Sequence, residues 1–308
     1  MSRQYLKRVG TTILVVWGAV TLIFLLIRLA PGDPALVMLG PTASAEQLAA
    51  LRERLGLGAP LPTQYWIFIT DLLRLDFGTS IRLGKPAIDA VLERLPATLQ
   101  LTAVATFFAL IIGIPLGAIA GRRPEGFVDK AISTLALISK SLPGFWLGVI
   151  LILVFSRQLR LLPSFGSGTI AHMVLPAITL TLPFLAVAIR LTRSSVVDTL
   201  REPFVQTAYS KGLTESEVMR DHVVRNSLLP VVTITGLQLS TLVGGAVITE
   251  AVFAWPGIGS LLVESVSARD YNVVQAVAVL VALMVVVINV LTDLLYLRLD
   301  PRIRLGGA

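Results

Sequence analysis

The sequence predicts an all-α polytopic membrane protein with six transmembrane helices and a helical extracytoplasmic insertion between the first and the second. Three observations predict it. Hydrophobic residues make up 55% of the 308 and charged ones 15%, against about 25% charge in ordinary soluble domains, and the mean hydropathy is +0.80. Apolar runs at 9–30, 97–120, 131–155, 173–190, 229–250 and 273–297 each reach the roughly 20 helical residues that cross a hydrocarbon layer about 30 Å thick. The 26 Lys and Arg are also uneven: 15 fall on the side that holds both termini and nine on the other, with Arg28 and Lys140 inside runs. Positive charge stays cytoplasmic, so both termini are expected inside.

The first run follows Arg3, Lys7 and Arg8, as a signal peptide would. It is longer than the 7–15 residues of a signal h-region, and no A-x-A-like cleavage site follows it at Ala30-Pro31-Gly32-Asp33-Pro34. Residues 1–30 are therefore read as a tail and a retained first helix. The segment 31–96 is too long for a simple connector and carries helix signals of its own. Ser44-Ala45-Glu46-Gln47 has capping-box spacing, and Leu48, Leu51 and Leu55 then form a stripe ended by Gly56. Thr63 starts a second helix with Trp66, Ile69 and Leu73 on one face, and Pro86 a third with Ile88, Val91 and Leu92. These amphipathic helices are expected along the membrane interface, packed on neighbouring spans or offered to an extracytoplasmic partner. Residues 97–297 form the membrane core and 298–308 a cytoplasmic tail.

Within the core, Gly113, Pro115 and Gly117 in the second span, Pro143 and Gly144 in the third, and Pro176 and Pro183 in the fourth predict kinks and close helix contacts. So many interruptions suit a transport pathway better than a lipid anchor. Lys140 stands about nine residues into the third run, where a charge is costly unless it snorkels or meets water, a carboxylate or carbonyls. The first four spans hold no Asp or Glu, and Glu250 and Asp293 lie toward the ends of the last two. An ion-coupled secondary transporter, which needs carboxylates near the midplane, is disfavoured.

Several chemistries are excluded by residue type. There is no Cys, and the two histidines, His172 and His222, fall on opposite sides of the membrane in this topology, so no metal site and no catalytic residues are expected. No G-x-x-x-x-G-K-[ST] occurs, so ATP hydrolysis would have to come from a partner. The basic residues are not gathered with aromatics on a soluble face, and nucleic acid is not an expected ligand.

The cytoplasmic segment 191–228 is polar yet carries apolar positions at helical spacing. Pro203 suits a first helical turn, Gly212 a left-handed stop, and Thr214-Glu215-Ser216-Glu217 an N-cap with an acid at N3. Two short helices in a hairpin follow. Small Ala208 would allow close approach by another protein, Val218, Met219 and Val223 would offer apolar contacts, and Arg220 and Arg225 charged ones; the alternative is a solvated loop that only sets topology.

This segment resembles the coupling loop, the EAA loop, of ATP-binding-cassette importer permeases, in the longer form of the peptide/nickel branch. The matching positions are Thr207, Ala208, Lys211, Gly212, Leu213, His222, Asn226 and Leu228-Leu229-Pro230. Gln206 and Tyr209 depart from it, standing where relatives commonly carry Arg. Further matches are Arg28 to Pro34, Asp76-Phe77-Gly78-Thr79-Ser80, Arg94 to Leu99, Pro143-Gly144-Phe145-Trp146-Leu147-Gly148, and Glu250 to Gly259 followed by Ala268-Arg269-Asp270-Tyr271. The last pair looks most like the first permease of dipeptide and oligopeptide importers. The resemblance implies a type I importer fold in a bacterial plasma membrane and half of a translocation pathway shared with a second homologous permease. It also implies two ATPase subunits that bind ATP and Mg, an extracytoplasmic solute-binding protein, and no cofactor in this chain. It implies peptide cargo, with nickel, glutathione or haem as alternatives. Lys140, Pro143, Phe145 and Trp146 are the candidate pathway residues.

Overall fold

The computed structural model describes residues 10, 14–25, 43–54 and 58–299. The N-terminal tail, the Arg28 to Pro34 motif, the Leu55 and Gly56 helix end and the residues after Leu299 lie outside the described residues. The elements are α1 (Leu14–Leu25), α2 (Ala45–Arg54), α3 (Leu61–Leu73), α4 (Ala87–Arg122), α5 (Phe127–Ser141) and α6 (Gly144–Leu151), which runs on as a π-helix over Ile152–Gln158. Then come α7 (Ile170–Leu200), α8 (Pro203–Ser210), α9 (Glu215–Glu217), a π-helix Val218–Val224, α10 (Arg225–Phe253), α11 (Ile258–Ser267) and α12 (Tyr271–Leu299). Among the described residues there is no strand, only one isolated bridge between Thr79 and Pro86.

Six crossings were expected. Among the described residues four helices are long and apolar enough to cross a membrane: α4, α7, the Ile234–Phe253 part of α10 and the Tyr271–Thr292 part of α12. The predicted third span is not straight, because α5 and α6 meet at 98°. Leu142 is extended (ψ 125°) before Pro143 (φ −61°, ψ 130°); the proline ring disfavours a helical residue before it and supplies no N–H to continue the ladder. Lys140 therefore stands in the last turn before an elbow, not deep in a continuous span. The predicted first span is described only as the short α1.

The chain divides into two compact units, one of residues 1–96 with 257–286 and one of 97–256 with 287–308. In the first, Phe77, Ala87, Ala90, Val91, Ile258, Leu261, Val273 and Val277 form the core. Two motifs singled out in the sequence meet here. Ser80 Oγ donates to Asp270 Oδ2 at 2.5 Å, Asn272 Nδ2 donates to the Thr79 carbonyl at 2.9 Å, and Arg82 pairs with Glu264. Gly78 (φ +77°) lies so close beneath Asn272 that a Cβ there would stand 2.9 Å from its Nδ2. The expected capping box opens α2: Ser44 N–H donates to Gln47 Oε1 at 3.0 Å and Gln47 N–H to Ser44 Oγ at 3.2 Å. The helix expected from Thr63 begins earlier, at Leu61, because the prolines at 60 and 62 preset the first turn. The helix expected from Pro86 is no separate element; it is the start of α4, which runs unbroken into the second apolar run.

In the second unit, Leu101, Ala105, Ala109, Ala177, Leu180, Phe184, Leu242, Ala246 and Trp255 form the largest core. α4 continues as a helix past its three glycines and through Pro115. The glycines form a seam at four-residue spacing against α7. A Cβ at Gly113 would stand 2.7 Å from Ala188 Cβ, one at Gly117 2.6 Å from the Ile189 carbonyl, and one at Gly121 2.8 Å from Val196 Cγ1. Where solvent is lipid, such small-residue stripes let backbones approach and gain dispersion contacts. α7 likewise runs through Pro176, which is buried, and Pro183, which is half-buried, and continues ten residues past the predicted end at 190 to Leu200.

Candidate coupling hairpin

The hairpin is assembled from local signals in the order they occur. Arg201 and Glu202 close α7 with N–H bonds to Asp198 and Thr199, and Pro203 takes the first position of α8, where an N–H has no intrahelical partner. α8 ends at Lys211 and Gly212, whose φ of +82° is left-handed, the conformation glycine adopts without a Cβ penalty. Gly212 N–H returns to Tyr209 O at 2.9 Å. Thr214 then caps the next helix: its N–H donates to Glu217 Oε2 at 2.8 Å, and its Oγ1 accepts from Glu217 N at 3.4 Å while donating to the carboxylate at 2.7 Å.

The Thr214 hydroxyl first, and its backbone N–H second, hold the Glu217 carboxyl below its ordinary value. A depressed carboxyl stabilises the fold above its unfolded pKa, and that contribution is lost as pH falls through the folded one. Thr214→Ala is expected to cost about 1 kcal/mol at neutral pH, and the difference from wild type should shrink in acid; thermal unfolding at the two pH values measures it.

The helix opened by Thr214 does not end before the membrane segment, as two separate short helices would require. It passes through the π-helical Val218–Val224 directly into α10, making hairpin and span one rod. The hairpin's interior is Val196, Val205, Ala208, Val218 and Val223, all buried, with Leu200, Leu213 and Met219 partly buried around them. This corrects the expectation that Ala208, Val218 and Val223 face another protein. They are enclosed by the chain's own α7, α8 and π-helix, because two short amphipathic turns must bury their apolar faces against something. Among the residues that remain outward are Phe204, Gln206, Thr207, Tyr209, Ser210, Lys211, Gly212, Arg220 and Arg225, with the acidic Glu215, Glu217 and Asp221.

Of the other matched positions, Asn226 Nδ2 donates to the His222 carbonyl at 2.6 Å, a bond within one turn, Leu213 N–H reaches back to Ala208 O at 3.4 Å, and Pro230 lies inside α10.

Two ties join the arms of the hairpin to neighbouring helices and a third holds α7, which leads into it; none was legible in the sequence. Arg122, the last residue of α4, donates from Nε to Glu215 Oε1 at 2.6 Å, and this bond lowers the Glu215 carboxyl from its ordinary value. Buried Ser227 donates to Thr199 Oγ1 at 3.0 Å. Arg193 of α7 grips Asp129 of α5 with Nη2 on Oδ2 at 2.6 Å and Nε on Oδ1, while Ser133 Oγ and the Glu125 N–H also donate to that carboxylate. Asp129 is 3% exposed and Arg193 31%. A buried carboxylate stripped of its partner is costly, so Arg193→Gln should destabilise by about 1–3 kcal/mol, the range being reduced for the exposure of the guanidinium. Asp129→Asn with Arg193→Gln should recover part of that loss, as a double-mutant cycle of thermal unfolding would read.

The candidate pathway residues are gathered at the α5–α6 elbow: Lys140 in the last turn of α5, Pro143 at the bend, and Phe145 and Trp146 in the first turn of α6, all exposed on this chain.

Over residues 113–305, which contain the hairpin and the elbow, the sequence matches the family described as binding-protein-dependent transport system inner membrane component; residues 1–102 match that family's N-terminal region. The chain belongs to this family. A probable peptide ABC transporter permease protein of Sinorhizobium fredii is 40% identical over 99% of this chain and 100% of its own. The glutathione transport system permease protein GsiC of Pectobacterium atrosepticum is 41% identical over 99% of each, and that of Escherichia coli K12 is 40% identical over the same shares. Among solved structures, the inward-facing MetNI methionine ABC transporter superposes with a TM-score of 0.60 at 21% identity, over 68% of this chain and 96% of that one. An amino acid ABC transporter with histidines gives 0.55 at 16%, over 68% and 94%. These two show the fold alone. This member of the family is a multi-pass membrane permease subunit of an ABC importer, of the same kind as the peptide and glutathione permeases.

Proposed function

We propose that this permease forms half of the pathway of an ATP-driven importer of short peptides and takes its motion from a separate ATPase through the α8–α9 hairpin. The observation that carries the coupling role is mechanical continuity. The hairpin has its own buried core, a capped start, and no break between its second arm and α10, so a push at Lys211–Gly212 moves the span and is not absorbed by a loop. ATP and Mg would bind only in two partner ATPase subunits. A second, homologous permease would complete the pathway, and an extracytoplasmic binding protein would deliver cargo to it. Both termini would be cytoplasmic, by the charge asymmetry. The outward residues Phe204, Thr207, Tyr209, Ser210 and Lys211 are the proposed ATPase contact.

Peptide relatives and glutathione relatives are equally similar, and glutathione is itself a tripeptide. The cargo class is therefore a short peptide with a free carboxylate, and exposed Lys140 at the elbow is the proposed attraction for it. Unchanged uptake kinetics in Lys140→Gln would remove that role. Nickel and haem complexes are the remaining alternatives.

Gentle purification of the tagged chain, with its companions identified by mass spectrometry, tests the assembly. An ATPase, a second permease and a binding protein are expected. The binding protein's thermal shift with dipeptides, longer peptides, glutathione, nickel and haem then names the cargo. Recovery of the chain alone, under conditions that keep other complexes intact, would favour an ion-coupled transporter.

A further inference from the structure

Helix α3 has two apolar faces. Its inner face, Tyr65, Phe68, Ile69 and Leu72, covers the Val16, Val20 and Phe24 stripe of α1; Tyr65 and Thr21 share a hydrogen bond of 2.7 Å, and the Phe24 and Phe68 rings stack at 5.4 Å. Its other side is uncovered: Trp66 is 69% exposed, Leu73 80% and Ile67 46%, with Thr63 and Thr70 between them, the Thr70 hydroxyl donating to the Ile67 carbonyl; Leu61, 58% exposed, stands at the open N-terminal end of the inner stripe. No charge interrupts the helix before Asp71, and Arg74 caps it. By contrast α2, nearby in sequence, carries Glu46, Arg52, Glu53 and Arg54 in ten residues.

The depth of α3 follows from what it touches. The contacts that place it fall on Thr21 and Phe24 of α1, in the half of the apolar run 9–30 that leads into segment 31–96. A helix packed on that half of a membrane-crossing helix lies within the same half of the hydrocarbon layer. α1 also presents Leu14, Val15, Trp17, Leu22 and Leu25 outward. Within lipid every backbone group must be satisfied internally, and several groups at the ends of α3 are. Pro62 has no N–H to satisfy, and the Thr63 and Gln64 N–H groups both return to Pro60 O, at 2.9 and 3.1 Å. The Gln64 amide donates to Ala59 O at 2.8 Å. At the far end Arg74 and Asp76 N–H take the Asp71 carbonyl and Leu75 N–H takes that of Leu72.

We propose that α3 is inserted in the bilayer beside α1, with Leu61, Trp66 and Ile67 in contact with lipid and the helix emerging at Asp71 to Arg74. The segment 31–96 is then not wholly an aqueous cap. This deepens the permease reading, since it rests on α1 crossing the membrane.

The absence of cysteine makes single-site labelling direct. Spin labels at Trp66→Cys and Ile67→Cys are compared with Glu46→Cys on α2, Leu22→Cys on α1 and Phe108→Cys on α4. The full-length chain is used in the complex with which it purifies, reconstituted in liposomes, with the unsubstituted complex as blank. Collision rates with oxygen, which concentrates in lipid, and with a water-soluble nickel chelate are measured. The expected result is high oxygen and low chelate collision at 66, 67, 22 and 108, with the ratio at least about tenfold above that at 46. Chelate collision at 66 and 67 equal to that at 46, with 22 and 108 still in lipid, overturns the insertion and leaves the permease reading intact. Low collision with both reagents at 66 and 67 also overturns it and assigns the face to a protein partner. Chelate access at 22 and 108 as well would remove the membrane reading itself.

Discussion

Gly212→Val is expected to reduce transport by roughly tenfold or more at normal membrane abundance, an effect that corresponds to about 1.4 kcal/mol of lost coupling. Space is not the cause, since nothing lies within 4 Å of a Cβ built at Gly212. The cause is the backbone. A φ of +82° costs an L-residue about 1–2 kcal/mol, and a β-branched one more. The turn would relax by rotating out of the left-handed region, re-aiming α8 against the rod formed by α9, the π-helix and α10. Gly212→Asn provides the control, because Asn tolerates this conformation; it should keep most of the activity. Uptake normalised to membrane abundance, with ATPase turnover measured in parallel, reads the result. Wild-type uptake in Gly212→Val would discard the coupling role, and equal loss in both variants would assign the effect to surface contact instead of turn geometry.

Gly117→Leu is expected to lose the folded permease almost entirely. Its Cβ alone would stand 2.6 Å from both the Ile189 carbonyl and Thr192 Cβ, and three further carbons have no space in the seam. Overpacking of this kind costs about 1–3 kcal/mol where side chains can give way, and more here, because the obstacle includes the backbone of α7. The neighbours Gly113 and Gly121 meet α7 at comparable range, so the strain cannot be shed along the helix. Gly244→Leu is the matched control: it carries the same change in a membrane-length helix, but nothing lies within 4 Å of its Cβ, and its stability should stay near wild type. Thermal unfolding in detergent and the fraction of monodisperse protein distinguish the two. Equal stability in Gly117→Leu would mean that α4 and α7 do not meet as closely as described.

The sequence by itself determined the class of molecule and the punctuation of its hairpin. Composition and run length require helices in lipid. The caps at Ser44 and Thr214, the first-turn Pro203 and the left-handed Gly212 act within a few residues, so each is fully specified by its own neighbours. The motif matches gave the family without any coordinates. What only the tertiary structure decided depends on residues far apart in the chain. Close contact is expected at Gly113 and Gly117 from their residue type, but that the partner is α7, at Ala188 and Ile189, is settled only by the fold. Pro143, followed by Gly144, does break its helix, whereas α7 continues through buried Pro176. Val218 and Val223 show periodicity but not a partner, and the fold supplies that partner from within as Val196, Val205 and Ala208. Asp129 and Arg193 are 64 positions apart, as Ser80 and Asp270 are 190. Local chemistry fixes where a helix starts and stops, whereas which face it buries and which charges it pairs follow from three-dimensional proximity, to which a single sequence carries no direct signal.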